Sequence, residues 1–161
     1  IMCKISKISE KDEKKKEQTL NEEDEKYLKE VALKTWQFFK DYLTPENNYL
    51  IPDNYQEDRK EIIVPRTSST NIGLSMLAVI ASYDLGFEDL ESTMDRLTNI
   101  INVVYELPKW NGHLYNWYNI KTKQPLIPRY VSTVDSGNLV GYMYTVRAFW
   151  DKMYPVQNFP L

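Results

Sequence analysis

Hydrophobic positions along the chain fall into four helical stripes, separated by polar stretches rich in turn residues. Leu28, Val31, Ala32, Thr35, Phe38, Phe39 and Tyr42 recur at three-to-four spacing, which predicts a first helix with one buried face. Asn21 can cap it, Asp24 follows three residues on, and Pro45 stops it. A second helix is predicted over about residues 70–85, with Gly86 as its stop. Ile72, Leu74, Met76, Leu77, Val79, Ile80 and Ala81 occupy nearly its whole circumference, so it should be buried on all sides. The third helix, over about 88–106, carries Leu90, Met94, Leu97, Ile100, Ile101 and Val104 on one stripe and ends at Pro108. The fourth spans about 136–154, with Leu139, Val140, Met143, Val146, Ala148, Phe149 and Trp150. Between the last two, residues 115–118 and 127–134 read as extended and are expected to pair as a short β-hairpin around 119–125. The predicted fold class is mainly α, with about four helices plus that hairpin.

Two segments break the periodicity. Residues 1–20 are charge-dense and nearly free of large apolar side chains, which predicts a charged linker or disordered extension ahead of a single unit over 21–161. Residues 46–68 are irregular and hold the turn signals Asn47-Asn48, Pro52-Asp53-Asn54 and Pro65. Loops this long inside a compact domain are usually functional or disordered. Tyr49, Leu50, Ile51 and Tyr55 argue for an ordered one.

Composition narrows the function classes. A chain of 161 residues, 42% hydrophobic and 27% charged, is the size and character of one soluble domain. Net charge is −3, and no basic stripe runs through the aromatic segments, so nucleic acid is not an expected partner. The run Lys14-Lys15-Lys16 sits among acidic residues and reads as a solvated face. No apolar run is long enough to span a membrane, and Lys4, Lys7 and Glu10 interrupt any signal-like segment. Cys3 is the sole cysteine, so no intrachain disulfide can form and a reducing, cytoplasmic location is expected. His113 is the sole histidine. One of each is too few for a zinc constellation, and no G-x-S-x-G, P-loop or G-x-G-x-x-G occurs. No metal and no cofactor are expected.

The aromatic content changes the picture most. Twelve Tyr, four Trp and five Phe make up 13% of the chain, many beside polar residues. Such side chains fill cores, and they also offer flat apolar faces to sugar rings. Three polar patches stand at element edges. The first, around Asp53, Asn54, Tyr55, Gln56 and Glu57, combines planar polar groups with an aromatic neighbour, as sugar hydroxyls require; it also reads as an ordinary surface turn. The second runs from Arg66 to Asn71 at the start of the most buried helix, where free N–H groups suit a ligand oxygen or are simply capped by Thr67, Ser68 or Ser69. The third joins Tyr115, Asn116, Trp117 and Tyr118 to Arg129, Tyr130, Asp135 and Asn138. Alternation puts Tyr115 and Trp117 on one face of the hairpin, Asn116 and Tyr118 on the other. Asp135 reads as a helix cap, a ligand, or both. A glycosidase needs two carboxyls flanking the bond; Asp53, Glu57 and Asp135 qualify by type, and no spacing shows that two of them meet.

Four strings in order carry a family resemblance: Asn48-Tyr49-Leu50-Ile51-Pro52-Asp53-Asn54-Tyr55-Gln56-Glu57-Asp58, Arg66-Thr67-Ser68-Ser69-Thr70-Asn71-Ile72-Gly73-Leu74, Gly112-His113-Leu114-Tyr115-Asn116-Trp117-Tyr118, and Pro128-Arg129-Tyr130-Val131-Ser132-Thr133-Val134-Asp135-Ser136-Gly137-Asn138-Leu139. Together they resemble the glycoamylase-like middle domain of cyclic β-1,2-glucan synthases, over about residues 21–144. Ser69 stands where that family usually has Pro, Asn119 where it has Asp, and Val140 and Tyr142 where it has Ala and His. The resemblance implies a partial (α/α)6 toroid, of which four helices are roughly a third. It implies a domain that cleaves or transfers β-1,2-glucan chains, with the catalytic carboxylates outside this stretch and Asp135 the one weak candidate inside it. Asp53, Gln56, Arg66, Asn71, Trp117, Arg129, Asp135 and Asn138 become the expected glucan contacts. The parent enzyme would be held at the inner membrane by segments outside this chain, which on its own should be weak or inactive. Expected partners are a β-glucan, the remainder of the parent enzyme and, through apolar surface left bare on the second helix, further copies of the chain. Two other readings share the same residues: a non-catalytic sugar-binding module, and a helical interaction module whose aromatics are core and interface. The sugar reading requires Trp117, Arg66 and Asp135 to converge on one open cleft.

Overall fold

A computed structural model describes residues 20–60 and 62–154. The extension expected over residues 1–20 lies outside these, apart from Leu20. Four helices order the chain: α1 (Glu22–Tyr42), α2 (Ser69–Asp84), α3 (Leu90–Glu106) and α4 (Thr133–Met153). Four two-residue strands lie between them: β1 (Arg66–Thr67), β2 (Lys109–Trp110), β3 (His113–Leu114) and β4 (Tyr118–Asn119).

The helices begin where polar caps satisfy their free N–H groups. Asn21 Oδ1 accepts from Asp24 N at 2.8 Å, and four acidic residues in the first turn of α1 oppose its dipole. Ser68 Oγ and Asp89 Oδ1 cap α2 and α3 in the same way, through Asn71 N and Ser92 N. Gly86, at φ +74°, takes the left-handed turn that ends α2, as its position suggested. The last helix starts earlier than its apolar stripe predicts. Ser132 is its cap, receiving Asp135 N at 3.2 Å, so the side chain of Asp135 is not a cap and is free for other partners.

The central helix is α2, which packs on α1, α3 and most extensively on α4. Ile72, Met76, Val79 and Ile80 face the core from α2, and Leu97, Ile100, Val103 and Val104 meet them from α3. Close approach to α4 depends on Gly73, where a Cβ would run into the ring of Tyr142. Burial of α2 is less complete than its composition predicts, since Leu74 and Ala81 remain exposed. The stripe on α1 is covered only in its second half. Trp36 is buried and Phe39 packs on the core, but Leu28 and Val31 stand clear because no element passes beside them among the described residues.

The loop between α1 and α2 is ordered. Leu50, Ile51 and Pro52 are buried, and the segment then doubles back as an irregular hairpin through Gln56 N→Ile62 O (2.7 Å), Val64 N→Asn54 O (3.2 Å) and Asp53 N→Arg66 O (2.7 Å). Arg66 pairs with Asn119 and Thr67 with Tyr118, so β1 and β4 form one antiparallel ribbon. The second ribbon, β2 with β3, turns through Asn111 and Gly112, both at positive φ. The hairpin expected between 115–118 and 127–134 is formed loosely. Leu126 N→Trp117 O (2.9 Å) and Asn116 N→Tyr130 O (2.8 Å) hold its limbs together, with a single bridge from Tyr118 to Pro125. Tyr118 is fully buried at its centre; its hydroxyl donates to Pro108 O (2.6 Å) and accepts from Tyr115 N (2.8 Å). Burial pushes this phenol up to about 12.

Candidate functional site

The β1–β4 ribbon brings the loop before α2 against the loop before α4, and a continuous polar network forms there. Its centre is Arg66. The guanidinium donates from Nε (3.3 Å) and Nη2 (3.1 Å) to Asp53 Oδ2, and its Cζ lies 4.2 Å from the centroid of the Trp117 ring. Both contacts suit a planar, delocalised cation. Asp53 is engaged from three directions, because Asn54 Nδ2 also donates to Oδ2 and Asn71 Nδ2 to Oδ1, each at 3.0 Å. The carboxylate side chain is 17% exposed and Arg66 43%, so the pair is wet on one side only. Among the described residues no group accepts from Arg66 Nη1, which leaves donors directed outward from a fixed fork.

Asn116 continues the network. It is 6% exposed, and its amide in the orientation that satisfies every neighbour donates to Asp135 Oδ2 (2.9 Å) and accepts from Tyr130 OH (2.7 Å) and Trp117 Nε1 (2.6 Å). The indole is therefore held at its nitrogen by Asn116 and across one face by Arg66. Asp135 reaches Asn116 because Ser132, and not Asp135, caps α4. At the helix starts, Asn138 Nδ2 donates to Thr70 Oγ1 (3.1 Å), tying the first turns of α4 and α2.

Arg66, Trp117 and Asp135 are thus linked, together with Asp53 and Asn71, and Asn138 adjoins through Thr70. Two expected residues stand apart. Gln56 lines a separate hollow of about 400 Å³ with Arg59, Lys60 and Val64, and its Oε1 is buried without a partner among the described residues. Arg129 is exposed, and no ion pair or hydrogen bond holds it among the described residues. Neither joins the network.

Asn116, Tyr130, Asn54 and Thr70 take part although they stood only within the polar patches and not among the eight expected glucan contacts. For Asn116 the alternation argument pointed the wrong way. The chain bends at that residue instead of running as a strand, so the side chains of Asn116 and Trp117 meet rather than lying on opposite faces. Chemically the assembly is a set of fixed amide, guanidinium and carboxylate groups around one aromatic ring. Such a set offers the paired donors and acceptors that hydroxyl-bearing ligands require. Asp53 is tied up by its three donors, so among the carboxylates here Asp135 alone keeps an oxygen, Oδ1, without a protein donor among the described residues. No cluster of three His, Cys, Asp or Glu side chains that could hold a metal occurs among the described residues.

The fold is that of part of a glucoamylase-like α/α toroid. It superposes on a protein assigned as a glucoamylase from Bacteroides fragilis NCTC 9343 with a TM-score of 0.71 at 20% identity, covering 85% of this chain and 33% of that one. An endo-β-1,2-glucanase from Chitinophaga pinensis, solved with sophorotriose and glucose, matches with a TM-score of 0.69 at 16% identity, covering 87% and 34%. In sequence, the chain is 39% identical over 139 residues to the cyclic β-(1,2)-glucan synthase NdvB of Rhizobium meliloti (strain 1021). That match takes in 86% of this chain but only 5% of the synthase. The chain is therefore related to a segment of that synthase, as its four motif strings implied, and it spans a small part of the relative's length. No protein-family model matches it. No helix among the described residues is long and apolar enough to cross a membrane.

Proposed function

We propose that this chain forms one wall of a β-1,2-glucan cleft, in a domain that cleaves or transfers such chains. The observation that carries the reading is the Arg66 fork, fixed between Asp53 and Trp117 with donors still facing outward. Arg66 and Asn71 would bind sugar hydroxyls, and Asn116 and Tyr130 would fix the Trp117 ring against the sugar's apolar face. Asn138, Arg129 and Gln56 would extend the contacts along the glucan. Cleavage or transfer needs two carboxyls in acid/base and nucleophile roles. Asp53, bound by three donors, is unsuited to either, so those groups would come from other segments, with Asp135 at most a participant.

Titration of the chain with β-1,2-linked gluco-oligosaccharides, followed by calorimetry or NMR, tests this directly. Binding should appear in the millimolar range or tighter and vanish in Trp117→Ala. Absence of binding at millimolar ligand would sink the proposal.

A second reading, a helical interaction module, draws on apolar surface that the fold leaves bare. Val134, Val140 and Tyr144 on α4 are exposed, as are Tyr27, Leu28 and Val31 on α1. In the leading reading these faces meet the remainder of a cytoplasmic parent enzyme. In isolation they would pair copies of the chain, and the bare surface lies mainly on α1 and α4 rather than on α2.

A further inference from the structure

Asn111 and Gly112 make the two-residue turn between β2 and β3, at φ 46° and 84°, the paired positive values for which Asn-Gly is the preferred sequence. Neither residue belongs to the Arg66–Trp117 network. Asn111 is the one asparagine of the chain that glycine follows. Glycine places no side chain beside its own nitrogen and turns freely about its backbone, so that nitrogen can close on the Cγ of the preceding carboxamide. Asn71, Asn99, Asn102 and Asn119 precede Ile72, Ile100, Val103 and Ile120, whose branched side chains crowd the same approach.

The surroundings leave this pair open. Residues 109–113 are all exposed. No hydrogen bond holds the Asn111 carboxamide among the described residues. Other side-chain amides are tied: Asn48 donates to Ile120 O, Asn71 to Asp53 and Asn138 to Thr70, while Asn116 is buried among Asp135, Tyr130 and Trp117. What fixes the hairpin lies at its base. Leu114, 5% exposed, anchors one strand in the core. On the other strand, Lys109 Nζ donates to the carbonyls of Val104 (2.7 Å), Tyr105 (3.0 Å) and Leu107 (3.0 Å), binding the hairpin to the end of α3. The tip has no such anchor. Its strands are two residues each, so few backbone bonds must part for the turn to open locally.

We propose that Asn111 is a site of spontaneous deamidation through a cyclic imide with Gly112, and that the change takes the β2–β3 ribbon out of register. Gly112 N, having lost its proton to solvent base, attacks Asn111 Cγ. A C–N bond forms, the carboxamide nitrogen takes up a proton and leaves as ammonia, and a succinimide ring closes. Water then adds to either ring carbonyl and breaks one of the two C–N bonds of the ring. Cleavage at Cγ gives aspartate; cleavage at the original backbone carbonyl gives isoaspartate, whose main chain runs through Cβ and Cγ. The sum is an amide and water becoming a carboxylate and ammonium, with no oxidant or reductant. Isoaspartate adds a carbon to the main chain of a two-residue turn, so Trp110 and His113 lose their direct pairing. Either product sets a carboxylate beside the exposed His113.

The test is incubation of the folded chain at neutral and mildly alkaline pH, followed by tryptic digestion. Trypsin releases residues 110–121 as one peptide, which holds Asn111, Asn116 and Asn119 together. Fragmentation mass spectrometry should place the amide-to-acid change at Asn111 and leave the other two as amides. Isoaspartyl methyltransferase should label the same peptide. The rate should rise with pH, because loss of the Gly112 N–H proton precedes attack. Asn111→Gly keeps a residue that accepts positive φ and removes the carboxamide, so its peptide should take no label. In the converted chain the backbone amides of Trp110 and His113 should exchange with solvent faster than in fresh protein. A synthetic peptide of residues 110–121 supplies the unfolded rate. If that peptide converts while Asn111 in the folded chain stays an amide over the same period, the hairpin protects its turn and the proposal is overturned. Earlier conversion at Asn116 or Asn119 overturns it equally. Unchanged exchange at Trp110 and His113 after conversion would overturn the loss of register.

Discussion

Asp53 shows how a residue's neighbours decide its role. By type it is a glycosidase carboxylate; by contacts it is the anchor of Arg66, Asn71 and Asn54. Asp53→Ala should therefore act twice. It leaves a half-buried guanidinium and two amides without their acceptor, which costs about 1–3 kcal/mol in denaturant unfolding. It also frees the Arg66 fork, so sugar binding should be lost even where the protein remains folded. Arg66→Lys separates these effects. A lysine keeps the charge near Asp53 but neither the fork nor the flat face on Trp117, so stability should fall little and binding much. Equal loss of both would contradict a binding role for Arg66. Tyr118 offers a purely structural contrast at the same scale. Tyr118→Phe removes the donor to Pro108 O and the acceptor of Tyr115 N, with an expected cost of about 1–3 kcal/mol. Its ionisation also sets an alkaline limit. The folded phenol titrates at about 12 and an unfolded tyrosine near 10, so the unfolded chain releases its proton first. Stability should decline as pH rises from about 10 to 12, and the decline should be smaller in Tyr118→Phe.

Among the elements, α2 and α4 set the geometry of the site, because their starts carry Thr70, Asn71, Asp135 and Asn138. Their separation depends on Gly73 beneath Tyr142. Gly73→Ala places a methyl against the Cβ and ring of that tyrosine, and overpacking of this kind costs about 1–3 kcal/mol. A smaller partner should relieve it. The double variant Gly73→Ala with Tyr142→Leu is expected to be more stable than the sum of the single changes, by about 0.5–3 kcal/mol in a double-mutant cycle. Strict additivity would show that the two helices do not touch there. The same elements show what the sequence made legible. Helices α1 to α3 were readable because periodicity and caps agree within a few residues of chain. The start of α4 was not, since Ser132, Asp135 and Ser136 all compete as caps and only the folded backbone selects Ser132. Regular strand pairing moved from 115–118 to the ribbons at Asn111-Gly112 and Arg66-Thr67. Two-residue strands carry too few side chains for alternation to show. The polar network was legible as residue types but not as a constellation, because its members come from four separate segments joined by the β1–β4 pairing. The family strings named most of them, and they missed Asn116 as a hub since its role depends on a local bend.

At the scale of the whole molecule, the fold matches about a third of each of two solved chains, and it leaves apolar side chains of its last helix in the open. Only Val146 and Phe149 of the 21 residues in α4 are buried, while Val140 is 55% and Tyr144 69% exposed. Soluble monomers seldom leave contiguous apolar faces of this kind uncovered. In a helix whose first turn carries Asp135, the uncovered face has a second consequence. Whatever packs on it also fixes the angle of the helix start, and with it the Asn116–Asp135 link beside Trp117. The chain alone should therefore self-associate in a concentration-dependent way, with sedimentation velocity showing dimers or larger species at high concentration. The double variant Val140→Glu with Tyr144→Glu should shift it toward monomer, since two carboxylates cannot be desolvated together without partners. Sugar binding distinguishes what the interface does. If association only hides apolar surface, the monomeric variant binds gluco-oligosaccharide as the wild type does. If the covered face also steadies the site, monomerisation weakens binding although neither substitution touches Arg66, Trp117 or Asn116. A chain that stays monomeric at every concentration would show that α4 tolerates water along its length, and would remove the argument that its outer face awaits a partner.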